Sequence, residues 1–405
     1  MWSVTKISTA LSLVGLSCLT GALPSLSGHS DPEPFFHKGF DLSSLKIMYD
    51  GYGPGEGATY KDSQRGNITR GAAEILRDGG MNTVRLRLWV WPKAPYDDGY
   101  YVSYGLNYTL PLAKHFYDMG FKIYLDYFFS DYWADPGKQA TPEEWPTTLD
   151  PLAATLREYV TSTLMAFHEA GVDLSIVALG NEIRHGMLWP LGYVNVDTFP
   201  TSARVANFSN FAYLWSEARN GVRDAVAMGV QSPQVMIHID DGWNTTLQTT
   251  WFSALTATGK VSREDWDIFG FSFYPFYGTS ATYANLQTTL DTLANEYNKP
   301  LHVVETDWPY LCPNSSGTGT AVALSEPSIP VSVAGQIEWM RGIINVVKSV
   351  PRGLGQGVNY WEPAWLNNTG LGSACESNIL FSTDWSEFPK VTAYSLESVN
   401  MYLGV

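Results

Sequence analysis

A chain of 405 residues, 45% hydrophobic and 16% charged, is long and apolar enough for one large core and is neither disordered nor fibrous in composition. Its 25 Lys and Arg stand against 40 Asp and Glu, and the net charge of −15 excludes nucleic acid and favours a neutral ligand over an acidic polysaccharide. An acidic surface that only keeps the chain soluble gives the same count. The 15 Trp and 23 Tyr serve packing first, but sugar-binding clefts also use such aromatic faces.

Residues 1–22 read as a signal peptide. Lys6 supplies the positive start, Ile7 to Leu19 the apolar run, and Thr20-Gly21-Ala22 a small-residue cleavage site. The run is short for a membrane span, so a signal anchor is the second reading and no other membrane association is expected. Residues 23–405 then form one domain, expected to be secreted and extracellular and to work as a monomer.

Strand-like runs at Phe35–Leu42, Thr83–Val90, Lys122–Phe129, Leu174–Gly180, Val235–Ile239, Ile268–Tyr274, Leu301–Glu305 and Gly357–Trp361 alternate with helical patterns. The helical patterns are Thr69–Arg77, Leu106–Met119, Leu152–Ala170, Ala203–Met228, Thr246–Thr258, Ala281–Tyr297, Ala334–Val350 and Ala393–Leu403. Eight alternating α/β repeats predict a (β/α)8 TIM barrel. An open doubly wound sheet is the alternative, but no Gly-rich phosphate turn follows the first strand. Six N-x-S/T sequons, at Asn67, Asn107, Asn207, Asn244, Asn314 and Asn367, fit a glycosylated secretory protein. The mature chain keeps Cys312 and Cys375, read either as one disulfide or as two free buried thiols.

Barrel enzymes build their sites at the C-terminal ends of the strands. There this sequence collects Arg87, Trp89, Asp131, Trp133, Asp135, Asn181, Glu182, His238, Tyr274, Glu305 and Trp361. Cleaving a glycosidic bond with retention needs one protonated and one ionised carboxyl about 5–5.5 Å apart. Glu182 after the fourth strand and Glu305 closing the seventh are the candidate pair, Glu182 as general acid/base and Glu305 as nucleophile. Asn181 is either a sugar 2-OH ligand or a turn residue. Tyr274 either orients Glu305 or is an ordinary half-buried aromatic, and Trp361 is either a stacking platform or a barrel plug. The seven histidines show no H-x-x-x-H spacing, so neither a metal nor a cofactor is expected.

The stretches KGFDLSSL (38–45), NTVRLRLWV (82–90), SDYWADPGKQ (130–139), GNEIRHGMLWP (180–190), MIHIDDGW (236–243), GFSFYPFY (270–277), VVETDWP (303–309) and YWEPAWLNNTGLGSACESN (360–378) resemble, in order, glycoside hydrolase family 53, the arabinogalactan endo-β-1,4-galactanases, especially the fungal ones. The resemblance implies a β-1,4-galactan substrate from plant pectin, endo cleavage with retention, and pairing of Cys312 with Cys375. The chain departs from it twice. Phe128 stands where the family usually has His near the cleaved subsite, and Trp91 stands where Asn usually precedes Pro92. A carbohydrate-binding protein that has lost catalysis, and a related barrel hydrolase acting on another β-1,4-glycan, are the competing functions.

Overall fold

The computed structural model describes residues 34–51, 57–92, 103–196, 201–278, 280–311, 323–366 and 377–405. The expected signal peptide, Cys312, Cys375, Asn314 and Asn367 lie outside these residues.

Eight parallel strands close into a barrel in which sequence neighbours are spatial neighbours: His37–Asp41, Thr83–Trp89, Lys122–Phe128, Leu174–Ala178, Gln234–Ile239, Ile268–Ser272, Leu301–Glu305 and Gly355–Tyr360. Phe40 closes the ring, in register with Val84 on one side and Tyr360 on the other. A strand shows alternate faces to its two neighbouring layers, and the buried residues divide accordingly. Ile123, Leu125 and Tyr127 belong to the large core of strands and helices, whereas Tyr124 joins Ile176, Ala178, Met236, Ile268 and Val304 in a separate, smaller cluster. Apolar filling of that kind makes the barrel a packed core rather than a pore.

Seven of the eight expected helices form: Ala72–Asp78, Leu106–Asp118, Leu149–Glu169, Thr201–Ala227, Thr245–Ala257, Tyr283–Tyr297 and Val333–Ser349. Their starts are chemically marked. The side chains of Asn244, Thr282 and Ser332 each accept a backbone N–H of the first turn. Among the described residues no helix is long and apolar enough to cross a membrane.

The expected last helix, Ala393–Leu403, does not form. Thr392–Ser395 is a strand followed by a single 3-10 turn at Glu397–Asn400. Here Ala393 and Ser395 are buried between half-exposed Thr392 and Tyr394, a period of two that overrides the helical reading. The strand belongs to a second sheet that the sequence reading missed, in the order Phe381–Asp384, Thr392–Ser395, Thr59–Asp62, Ile68–Thr69. Its strands are two to four residues long, too short to announce a period. Ile68–Thr69 also explains why the helix expected from Thr69 begins only at Ala72.

Candidate active site

The C-terminal end of the barrel opens into a cavity of about 560 Å3. Its lining includes Phe128, Trp133, Asp135, Asn181, Glu182, Asp240, Ser272, Tyr274, Glu305, Asp307 and Trp361. The two glutamates therefore face one space from strands four and seven.

The turn that presents Glu182 is specialised. Gly180 lies at φ 107°, where a Cβ would stand 2.6 Å from Ile183 Cγ2. Glu182 itself occupies the left-handed region at φ 48°, ψ 49°, a conformation costly for a residue with a Cβ and common at functional sites. Gln139 donates to the Asn181 carbonyl at 2.8 Å and fixes the turn from the side.

Glu305 is surrounded differently. Arg85 Nη2 lies 2.6 Å from Glu305 Oε1, and the Tyr274 hydroxyl donates to Oε2 at 2.9 Å. The same guanidinium reaches Asp126 Oδ2 at 2.6 Å, Asn181 Oδ1 at 2.9 Å and, through Nη1, Asp41 Oδ2 at 2.7 Å. Asn181 Nδ2 donates onward to the Ala134 carbonyl at 2.7 Å. A buried arginine is tolerated when its charge is matched, and Arg85 meets three carboxylates through Nη1 and Nη2.

A second buried arginine builds the floor beside it. Arg87 Nη1 pairs with Glu362 Oε1 at 2.6 Å and Nη2 donates to Ser44 Oγ at 2.7 Å. Its guanidinium carbon lies 4.1 Å from the ring centre of Tyr104, 4.7 Å from that of Trp133 and 5.4 Å from that of Trp365. Trp133, which lines the cavity, packs against this cation and stacks on Trp365, which the same cation also touches.

These surroundings separate the two carboxyls electrostatically. Loss of water around Glu182, then the charges of Glu305 and Asp240, raise its pKa well above the usual carboxylate range. Glu182 still keeps a half-exposed face toward the cavity. Burial raises Glu305 too and leaves it above the usual carboxylate range, with Arg85 and the Tyr274 hydrogen bond opposing the rise. Asp126 is pushed up to about 8 by burial, against the pull of Arg85, and Asp240 also to about 8, against Arg184. One group is thus kept as an acid and the other favoured as an anion.

Asp126, His238 and Glu305 each bring a donor atom within 4.8 Å of the others. That set does not fit a metal ion, because the Arg85 guanidinium already stands against both carboxylates as their cation.

Comparison with known proteins agrees with this geometry. Residues 37–394 match the profile of "Glycosyl hydrolase family 53". A probable arabinogalactan endo-beta-1,4-galactanase A of Aspergillus tubingensis is 38% identical over 385 residues, covering 95% of this chain and 98% of that one. The chain belongs to glycosyl hydrolase family 53. The arabinogalactan endo-beta-1,4-galactanase of Thermothelomyces thermophilus is 37% identical, over 85% of this chain and 95% of that one. A solved fungal beta-1,4-galactanase superposes with a TM-score of 0.77 at 34% identity, over 91% of this chain and 99% of the other. The catalytic domain of an Ignisphaera aggregans member of the family shares the fold with a TM-score of 0.73 at 24% identity, over 96% and 99% of the two chains.

Within the family frame, seven of the residues singled out from the sequence line the cavity: Trp133, Asp135, Asn181, Glu182, Tyr274, Glu305 and Trp361. Four do not. Arg87 and Trp89 lie fully buried behind Trp133, and His238 lies beneath Ser272, its Nε2 2.9 Å from the serine hydroxyl. Asp131 accepts the backbone N–H groups of Trp91 and Glu143, each at 2.9 Å, so it ties loops together. Sequence reasoning missed Arg85, Asp126 and Asp41. The signal was present in TVRLRLW: two arginines two apart in an apolar strand share a face and must find buried partners. Of the two departures, Phe128 lines the cavity with its ring centre 6.2 Å from that of Trp133, and Trp91 is exposed.

Proposed function

We propose that this chain is an arabinogalactan endo-β-1,4-galactanase that cleaves the β-1,4-galactan of plant pectin by double displacement. The observation that carries the mechanism is the asymmetry of the carboxyls. Glu305 is bonded by Arg85 and Tyr274, whereas Glu182 shares its side of the cavity with Asp240 and Asp135. The galactan substrate rests on the names of the fungal relatives and suits an acidic protein that takes a neutral glycan.

In the first step Glu305 attacks the anomeric carbon while Glu182 gives its proton to the departing glycosidic oxygen. The attacking oxygen loses charge as the ester forms. In the second step Glu182, now a carboxylate, takes a proton from water, and that water attacks from the face the leaving group vacated, opposite Glu305, and breaks the bond to the Glu305 carboxylate. Asn181 has its carbonyl oxygen held by Arg85 and one Nδ2 hydrogen on Ala134. An amide nitrogen carries two hydrogens, so the other serves the sugar 2-OH. Trp361 supplies the stacking face in the same cavity.

The secretory reading supplies the setting: export by residues 1–22, a Cys312–Cys375 disulfide, glycans on the six sequons, and a monomer. Asn67 and Asn107 are exposed and Asn207 and Asn244 half-exposed, as glycan sites must be. The test is a parallel assay of the purified protein on galactan, mannan and β-glucan, with NMR of the first-formed anomer. Release of β-anomeric galacto-oligosaccharides from galactan alone is expected. Preference for another glycan would overturn the substrate, and an initial α-anomer would overturn retention.

A further inference from the structure

Away from the cavity, two large aromatic rings stand side by side in solvent. Trp385 and Phe388 follow the strand Phe381–Asp384 and are 40% and 63% exposed. Their ring centres are 6.3 Å apart, with planes tilted by 40°. Exposed aromatics that touch one another are candidates for a binding surface rather than scattered surface residues.

The turn that carries them is tied. The Trp385 indole N–H donates to Thr383 Oγ1 at 2.9 Å, and the Ser386 N–H to Asp384 Oδ1 at 2.9 Å. The Phe388 and Lys390 N–H groups bond the Trp385 and Glu387 carbonyls at 3.1 and 3.0 Å. A ring fixed beforehand loses little freedom when a ligand covers it. Asp384, Ser386, Glu387 and Lys390 are all exposed around the pair, offering donors and acceptors at its edge.

The platform also springs from the catalytic end of the barrel. Leu380 N–H donates to the Pro363 carbonyl at 2.8 Å, two residues beyond cavity-lining Trp361. Asn378 Nδ2 donates at 2.9 Å to Asp307, itself on the cavity wall. From Asn378 to Trp385 the chain spans at most about 25 Å. A polymer threaded through the cavity can therefore reach the rings.

We propose that Trp385 and Phe388 form a second, non-catalytic sugar platform that holds a distal stretch of the same neutral glycan chain whose scissile bond lies in the cavity. Stacking satisfies the C–H face of a pyranose, and the surrounding polar groups satisfy its hydroxyl edge. A wholly apolar partner would leave Asp384, Glu387 and Lys390 desolvated without bonds. A second copy of this chain is the competing occupant, but two rings cover far less than the ~1,200–2,000 Å2 of a stable interface.

The proposal rests on the galactanase reading, and one experiment separates their failures. The ratio of kcat/KM on long-chain galactan to that on galactotetraose is compared in the wild type and in Trp385→Ala/Phe388→Ala. Loss of stacking should lower the value for the polymer about three- to tenfold and leave that for the tetraose unchanged. The variant Trp385→Tyr/Phe388→Tyr, which keeps both rings, should retain the wild-type ratio and wild-type retardation in a galactan gel. An unchanged ratio in the alanine variant overturns the platform, as does a wild-type dimer in sedimentation that the alanine variant abolishes. A wild type inactive on both galactans would defeat the galactanase reading itself.

Discussion

The two walls of the catalytic cavity carry the same functional group in opposite settings. On the strand-seven wall Glu305 faces a guanidinium and a phenol, both of which stabilise its charge. On the strand-four wall Glu182 faces carboxylates, with a hydrogen bond from Ser272 as the counterweight. The difference teaches that the roles reside in the neighbours. A glutamate at a barrel strand end becomes nucleophile or acid according to which charges the adjacent strands bring, as the strong influence of nearby charge on pKa requires.

That contrast can be broken from either wall. Glu305→Gln removes the nucleophile and should lower kcat on galactan by roughly 10^4-fold or more, while calorimetric binding of galacto-oligosaccharides persists. Appreciable residual turnover would remove Glu305 from its role. Arg85→Met strips the shared cation from Glu305, Asp126 and Asp41, leaving buried carboxylates unpaired. Unfolding in urea should show a loss of about 3–5 kcal/mol, and activity should fall with it. Tyr274→Phe deletes one hydrogen bond to the carboxylate, worth about 1.5–3 kcal/mol, so kcat/KM should fall by about 10- to 100-fold. Because that bond lowers the pKa of Glu305, its removal should also move the acid limb of the pH–rate profile to higher pH.

The smallest effect comes from the opposite wall. Asp240 bears on Glu182 through its charge, which raises the pKa of the acid. Asp240→Asn removes that push, so Glu182 should release its proton earlier as pH rises. The alkaline limb of kcat/KM should move to lower pH, with the acid limb in place. A shift to higher pH would contradict the assignment of Glu182 as the acid.

Much of this was readable from the sequence, and the failures have a common cause. All eight barrel strands and seven helices follow from apolar period, and Glu182 and Glu305 follow from standing at strand ends in a fold that places its chemistry there. Depth was not readable. His238 precedes cavity-lining Asp240 by two residues, roughly 6–7 Å of strand, and that step carries it from the cavity to a place under Ser272. Arg87 and Trp89 fall behind Trp133 for the same reason. The ion network of Arg85 was missed because its partners come from strands one, three and seven, a closeness that only barrel closure creates. The small second sheet was missed because its two halves are 332 residues apart at the Thr59–Val391 junction of their backbones, with the first half too short to show a period.

The central claim is that Glu305, and not Glu182, bears the sugar in the covalent intermediate. Its most direct test is treatment with an activated 2-deoxy-2-fluoro-galactoside, followed by peptide mapping of the trapped protein by mass spectrometry. One sugar per chain on the peptide containing Val303-Val304-Glu305 is the expected result; label on Glu182, or label persisting undiminished in Glu305→Gln, would contradict it.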